Sequence, residues 1–322
     1  METKNKRSTF SGQLGYVMAV AGSAVGLGNI WRFPYLAAKY GGGIFLLTYF
    51  ILAVTFGFAL LISETSLGRK TKKSPIAAYK KLGAKKLRIG GWLNAIVPML
   101  IVPYYCVVGG WVCKYLFEYI KNNAANLVSN NYFSNFSSSS IQPVLWLIVF
   151  AILVFVVVLL GVEKGVEKCS KILMPALIIM AIFIAGYTLF TPGAIEGAKY
   201  YLIPDFSRFS IMTVVAAMGQ MFYSLSIGMG ILFTYGSYMK KEIDMERSIT
   251  QVEIMDTVVA FLAGLMIVPA VFAFSNGDPN TLNAGPSLMF ITLPNVFNSM
   301  ALGNIIGIVF FLLVLFAALT SA

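Results

Sequence analysis

The chain has 322 residues, 58% hydrophobic and 11% charged, with a formal net charge of +11 and no histidine. That balance excludes an ordinary soluble domain, and the missing histidine excludes a histidine proton relay. The basic residues fall between long apolar runs, as topology determinants do, so no nucleic-acid partner is implied. Cys106, Cys113 and Cys169 lie in or beside those runs and indicate neither a disulfide framework nor a zinc site.

A helix needs about 20 apolar residues to cross a bilayer. Eight segments meet that need, at Gly12–Ala38, Gly43–Gly68, Gly91–Ile120, Pro143–Gly161, Lys168–Phe190, Ser210–Met239, Ile249–Phe274 and Asn304–Ala322. Lys4, Lys6 and Arg7 precede the first run, which has no small-residue cleavage site and reads as a membrane helix, not a signal peptide. Eighteen of the 24 Lys and Arg residues lie in loops on the N-terminal side, five lie opposite, and Arg32 lies inside a segment. The positive-inside rule therefore predicts a cytoplasmic N-terminus. Tyr119, Tyr132, Tyr200 and Tyr201 fit an outer interfacial belt. Asn122–Ser140 reads as a polar outer loop, and Asn280–Ser299 as a short element folded over a cavity.

The first segment carries Gly22-Ser23-Ala24-Val25-Gly26-Leu27-Gly28-Asn29-Ile30-Trp31-Arg32-Phe33-Pro34. Glycine, proline and a buried arginine each oppose a continuous membrane helix. The helix is expected to break near Ala24–Leu27 and to resume towards Pro34. Such a break exposes carbonyls that suit a small cation and amides that suit a carboxylate. In a membrane it is tolerated only inside protein or along a cavity. The sixth segment repeats the device in Gln220-Met221-Phe222-Tyr223-Ser224-Leu225-Ser226-Ile227-Gly228-Met229-Gly230. At the start of the seventh, Glu253 lies nearer the charged loop, whereas Asp256 lies about one turn deeper and opens an apolar run. An intramembrane carboxylate at that depth is a functional candidate.

These motifs, with Gly41-Gly42-Gly43, Glu64, Gly68-Arg69 and Ala317 to Ser321, resemble the neurotransmitter:sodium symporter family, whose bacterial members carry amino acids. The resemblance covers the whole chain. It implies an all-α fold of two inverted five-helix repeats in one transmembrane domain, the first over about 12–190 and a partial second over about 209–322. The family has about a dozen helices, so a chain ending at Ala322 is expected to be truncated after its eighth.

Two sodium sites are implied. The first takes the Ala24 carbonyl, Asn29, Ser224 and a side chain from the seventh segment. The second takes carbonyls of Gly22, Val25 and Ala317 and hydroxyls of Thr320 and Ser321. Aligning the seventh segment on Gly264 assigns Asp256 to the first site; aligning on Pro269 moves Met255 there, and oxygen hardness favours Asp256. Substrate contacts are expected from Ser23, Ala24, Leu27, Gly28, Ile101, Tyr105, Tyr223, Ser224, Ser226, Met229 and Ser321. Arg7, Arg32 and Tyr223 are expected at the gates, Arg32 pairing with a carboxylate on a tenth helix, and Phe10 stands where the family has a tryptophan. Glu64 is expected to brace the unwound sixth segment.

The expected function is sodium-coupled import of a hydrophobic or aromatic amino acid by alternating access, in a bacterial inner membrane, with no chloride requirement because Asp256 supplies the balancing charge. The rival readings are an ion channel or another non-transporting membrane protein. No Ser/His, metal-ligand or paired-carboxylate set marks an enzyme.

Overall fold

Lipid offers no partner to a backbone amide, so each long apolar run closes its hydrogen bonds within itself. The computed structural model describes residues 9–83, 88–129, 131–275 and 285–322. Six helices there are long and apolar enough to cross a membrane: Gly43–Thr71, Arg88–Ile120, Gln142–Leu159, Val162–Leu189, Met245–Phe274 and Gly303–Ser321. Gln13–Ala24 and Gly28–Lys39 form a further span bent by 55° at its break. The sixth expected span is divided into Ile211–Ser224 and Ile231–Tyr238, neither of which is long enough to cross alone. Numbered in chain order, these are spans 1 to 8.

Span 7 (Met245–Phe274) is the central helix, with 61% of its most apolar window inside the protein. Span 4 (Gln142–Leu159) has 6% inside, so it lies at the edge of the bundle. Span 2 (Gly43–Thr71) and the second half of span 6 meet through paired glycines. A Cβ on Gly68 would stand 2.2 Å from the Phe233 carbonyl oxygen, and one on Gly236 would stand 2.4 Å from that of Thr65. Small residues at such crossings let membrane helices approach backbone to backbone.

The connections hold more helix than the sequence suggests. Ala124–Leu127 and Tyr132–Ser138 are short helices in the expected polar loop, and Ala194–Leu202 precedes span 6. Leu288–Thr292 and Leu293–Asn298 form the element after span 7. Asn280 to Ala284, at the start of that expected element, and Arg7 lie outside the described residues.

The tyrosine belt needs correction. Tyr119 and Tyr201 are fully enclosed. The Tyr201 hydroxyl donates to the Phe261 carbonyl at 3.0 Å, and the Tyr119 ring stacks on Phe311. Tyr200, half-buried, donates to the Ala38 carbonyl at 2.6 Å. A phenol that finds a protein carbonyl has no need of the headgroup region; Tyr200 and Tyr201 tie Ala194–Leu202 to spans 1 and 7, and Tyr119 packs span 3 against span 8.

Candidate functional site

Span 1 loses its α-helical ladder after Ala24, where Val25 turns to φ −74° and ψ 95°. The chain winds again at Gly28, earlier than expected, through wider π-type turns to Arg32 and then an α-helix from Phe33. The wider turn before Pro34 accommodates a residue with no backbone donor. In span 6 the break runs from Leu225 to Gly230, with Ser226, Gly228 and Gly230 at positive φ of 55°, 76° and 70°. Glu64 Oε1 accepts a hydrogen bond from the Gly228 amide at 2.8 Å, so span 2 fastens the unwound stretch.

The two breaks meet at Asn29, which is fully buried. Its Oδ1 accepts from the Gly26 amide at 3.1 Å. Its Nδ2 donates to Ser224 Oγ at 2.9 Å and to Asp256 Oδ1 at 2.8 Å. Ser224 Oγ also lies 3.0 and 2.9 Å from the two Asp256 oxygens. Asp256 is fully enclosed, and Met255 beside it is not. The geometry thus turns Asp256, and not Met255, towards the first break.

A second oxygen cluster lies where span 8 (Gly303–Ser321) passes span 1. Ser321 Oγ stands 3.1 Å from the Gly22 carbonyl oxygen and 3.0 Å from that of Val25. Thr320 Oγ1 donates within its own helix, to Phe316 at 2.9 Å and Ala317 at 3.2 Å. Gly22 suits this close approach: a Cβ there would be 3.2 Å from the Thr320 Cβ and 3.1 Å from Ser170 Oγ, so these neighbours would have to give way by a few tenths of an ångström.

Between the clusters lies a small cavity of about 30 Å³. Ser23, Ala24, Gly28, Asn29, Ile101, Tyr105, Tyr223, Ser224, Ser226, Met229 and Ser321 line it, as does Ile231. Leu27 does not: its side chain is fully buried elsewhere, and only its backbone meets the Tyr105 hydroxyl. The Tyr223 ring lies on Gly28, where a Cβ would come within 2.4 Å of it. Above that ring sits the Arg32 guanidinium, 5.3 Å from its centroid. Arg32 Nη1 donates to Gln220 Oε1 at 2.8 Å, while Gln220 Nε2 donates to the Gly28 carbonyl at 3.1 Å. Arg32 therefore has a side-chain partner on span 6 itself. A larger cavity of about 390 Å³ shares Ser23, Ile101, Met229 and Ser321 and reaches Pro75 and Asn94.

Three residues at the site had no assigned role in the sequence reading. Tyr49, fully buried, donates its hydroxyl to Asp256 Oδ2 at 3.3 Å. Gln220 bridges Arg32 to the first break, and Ser170 abuts Gly22. Gln220 carried a usable signal, as an amide inside an apolar segment beside a break. Tyr49 and Ser170 carried none.

A family model described as the sodium:neurotransmitter symporter family matches residues 7–144 and 137–322. The uncharacterized sodium-dependent transporter YhdH of Bacillus subtilis is 37% identical over 324 residues, covering 99% of this chain and 71% of its own length. The sodium- and chloride-dependent GABA transporter 2 of Rattus norvegicus is 30% identical over 363 residues, covering 98% of this chain and 60% of its own. The crystal structure of MhsT in complex with L-phenylalanine superposes with a TM-score of 0.88 at 38% identity, covering 98% of this chain and 72% of that one.

Proposed function

Because the chain belongs to the sodium:neurotransmitter symporter family and is a sodium-coupled transporter of the membrane, we propose that its cargo is an amino acid with a hydrophobic or aromatic side chain. The observation that carries this reading is the meeting of both broken helices on one small cavity beside a fully buried carboxylate. A channel would need a continuous polar pore, and the family placement removes that rival.

In the proposed arrangement one sodium ion takes the Ala24 carbonyl, Asn29, Ser224 and Asp256. A second takes the Gly22, Val25 and Ala317 carbonyls with Thr320 and Ser321. All are hard oxygen donors, which suit a hard cation. Asp256 already draws donors from Asn29, Ser224 and Tyr49, and a cation would satisfy the same oxygens more fully. The amides at Leu27 and Gly28 would receive the substrate carboxylate, with Tyr105 beside them and the first sodium as counter-charge. Its amino group would meet carbonyls near Ala24, Tyr223 and Ser226. Ile101, Tyr105, Tyr223, Ile231 and Met229 would hold the side chain. Methionine there can repack around rings of different shape. MhsT, solved with L-phenylalanine, supports the substrate class.

A cavity of about 30 Å³ holds one or two waters, so an amino acid enters only as the breaks and the Tyr223 lid move apart. Alternating access would open it on one side past Arg32 and Tyr223, and on the other towards Pro75 and Asn94. The loop charge supports a cytoplasmic N-terminus, and likeness to bacterial relatives supports a bacterial inner membrane.

The test is uptake into proteoliposomes under an inward sodium gradient, over a panel of amino acids. Saturable uptake of phenylalanine, tryptophan, tyrosine or leucine that collapses without sodium supports the reading. Equal competition by aspartate or lysine would overturn the substrate class.

A further inference from the structure

Glu253 is not used by the site just described. It sits on span 7, 7% exposed, and its Oε1 has no hydrogen-bond partner among the described residues. That oxygen faces span 2, where a Cβ on Gly57 would lie 3.7 Å from it. A carboxyl group enclosed at membrane depth with a free acceptor is costly unless something answers it.

Glu253 lines an apolar groove of about 510 Å³ between spans 2 and 7. The walls are Phe50, Val54 and Phe58 on one side and Ile254 and Val258 on the other. Phe50, Val54 and Ile254 are each more than half exposed, so the groove opens sideways towards the bilayer. Through Phe50 and Thr257 it continues into a second apolar cavity of about 280 Å³ that reaches Pro204. The joined lining holds one acidic group and no basic side chain.

We propose that this groove binds a single-chain lipophilic amine that enters from the bilayer, with its ammonium on Glu253 and its chain along spans 2 and 7. The chemistry selects that occupant. An inorganic cation would find one carboxylate and two hydroxyls on an open apolar wall, fewer oxygens than are gathered at either proposed sodium site. Thr250 Oγ1 also lines the groove and donates to the Glu246 carbonyl at 2.9 Å. A neutral chain would fill the volume and leave the carboxyl group unanswered. An ammonium brings both charge and donors, and a charge-assisted contact is about twice as strong as a neutral one.

The experiment uses the reconstituted chain and a diazirine-bearing dodecylamine, with the matching alcohol as control. After photolysis in phosphatidylcholine liposomes, label is mapped by mass spectrometry. The amine should label peptides around Val54 and Ile254, compete with plain dodecylamine, and exceed the alcohol about tenfold. Glu253→Gln should abolish that preference while sodium-dependent substrate binding, the check on folding, persists. Should Glu253→Gln fail to fold, Val54→Trp, a lipid-facing change that blocks the groove, should remove the label. Equal labelling by amine and alcohol, or label unchanged in the folded variants, would overturn the proposal. So would competition by phosphatidylethanolamine at the potency of dodecylamine, which would make the occupant a lipid headgroup.

Discussion

Asp256→Asn is the most direct probe of the proposed first sodium site. The substitution keeps the size of the side chain and removes one charge from a fully enclosed position. A carboxylate oxygen about 2.4 Å from a monovalent cation contributes about 7 kcal/mol at an effective dielectric of about 20. The amide that replaces it keeps one ligating oxygen and relieves a buried charge, so the net loss should be about 2–3 kcal/mol. That corresponds to a sodium affinity about 30- to 150-fold weaker. Local bonding also suffers. Asn29 Nδ2 donates towards Oδ1 at 2.8 Å and Tyr49 towards Oδ2 at 3.3 Å, so the new NH₂ must face a donor at one of the two positions. The assay is a sodium titration of substrate binding, run in chloride and again with chloride replaced by gluconate. The wild type should behave alike in both. The variant should bind sodium weakly in gluconate and recover part of its affinity in chloride, because a mobile anion then supplies the missing charge. A sodium affinity within about threefold of wild type would remove Asp256 from the site. Strict chloride dependence of the wild type, a dependence that the name of the rat GABA transporter carries, would refute the charge-balance reasoning.

Other substitutions test the supporting geometry. In Gly26→Ala the new methyl would stand 2.7 Å from Ser321 Oγ and 2.9 Å from the Tyr105 hydroxyl, so substrate affinity should fall at least about tenfold in a binding titration. Glu64→Gln keeps an acceptor for Gly228 and loses the charge that strengthens it, so thermal melting should drop by a few degrees, more in Glu64→Ala. Gly68→Ala puts a methyl 2.2 Å from the Phe233 carbonyl, where no flexible side chain can retreat, and should abolish a monodisperse peak on size exclusion. Gly186→Ala, with nothing within 4 Å of the added carbon, should leave that peak unchanged.

The two breaks were legible because their causes are local. Three glycines around Gly26 and two around Met229 weaken a helix wherever it is placed. Asp256 stood out because a lone carboxylate at the head of an apolar run is expensive in any membrane context. What pattern alone left open was helical phase. Adjacent residues on a helix point about 100° apart, and only the packed rotation of span 7 turns Asp256, with Met255 swung aside, towards Asn29. Tyr49 lies 207 positions from Asp256 in sequence, inside a run of apolar residues that offers nothing to distinguish it. The buried outer tyrosines misled for a related reason. A phenol near a helix end is satisfied equally by water, headgroup or a protein carbonyl, and the choice among them is made by neighbours far along the chain.

The pairing of the breaks carries a stronger argument than either break alone. Where Gln13–Ala24 ends, the Gly22 and Val25 carbonyls turn to the Ser321 hydroxyl, so this end of span 1 gathers negative partial charge. Where Gly28–Lys39 begins, no side chain caps the helix and its N-terminal end gathers positive partial charge, with the Asn29 amide donating to the Gly26 carbonyl at 3.1 Å. One interrupted helix therefore presents both signs within a few residues. The second break, held open by Glu64, brings Ser224 and Ser226 to the same cavity from the opposite wall. A cation bound among Asn29, Ser224 and Asp256 would lie beside the amides that receive an anionic group. Each ligand would then lower the cost of desolvating the other, which is the thermodynamic meaning of coupling. A zwitterion of amino-acid size, the cargo proposed above, would offer the complementary pair of charges. The apolar remainder of the lining, from Ile101 to Met229, has then only a side chain left to accept.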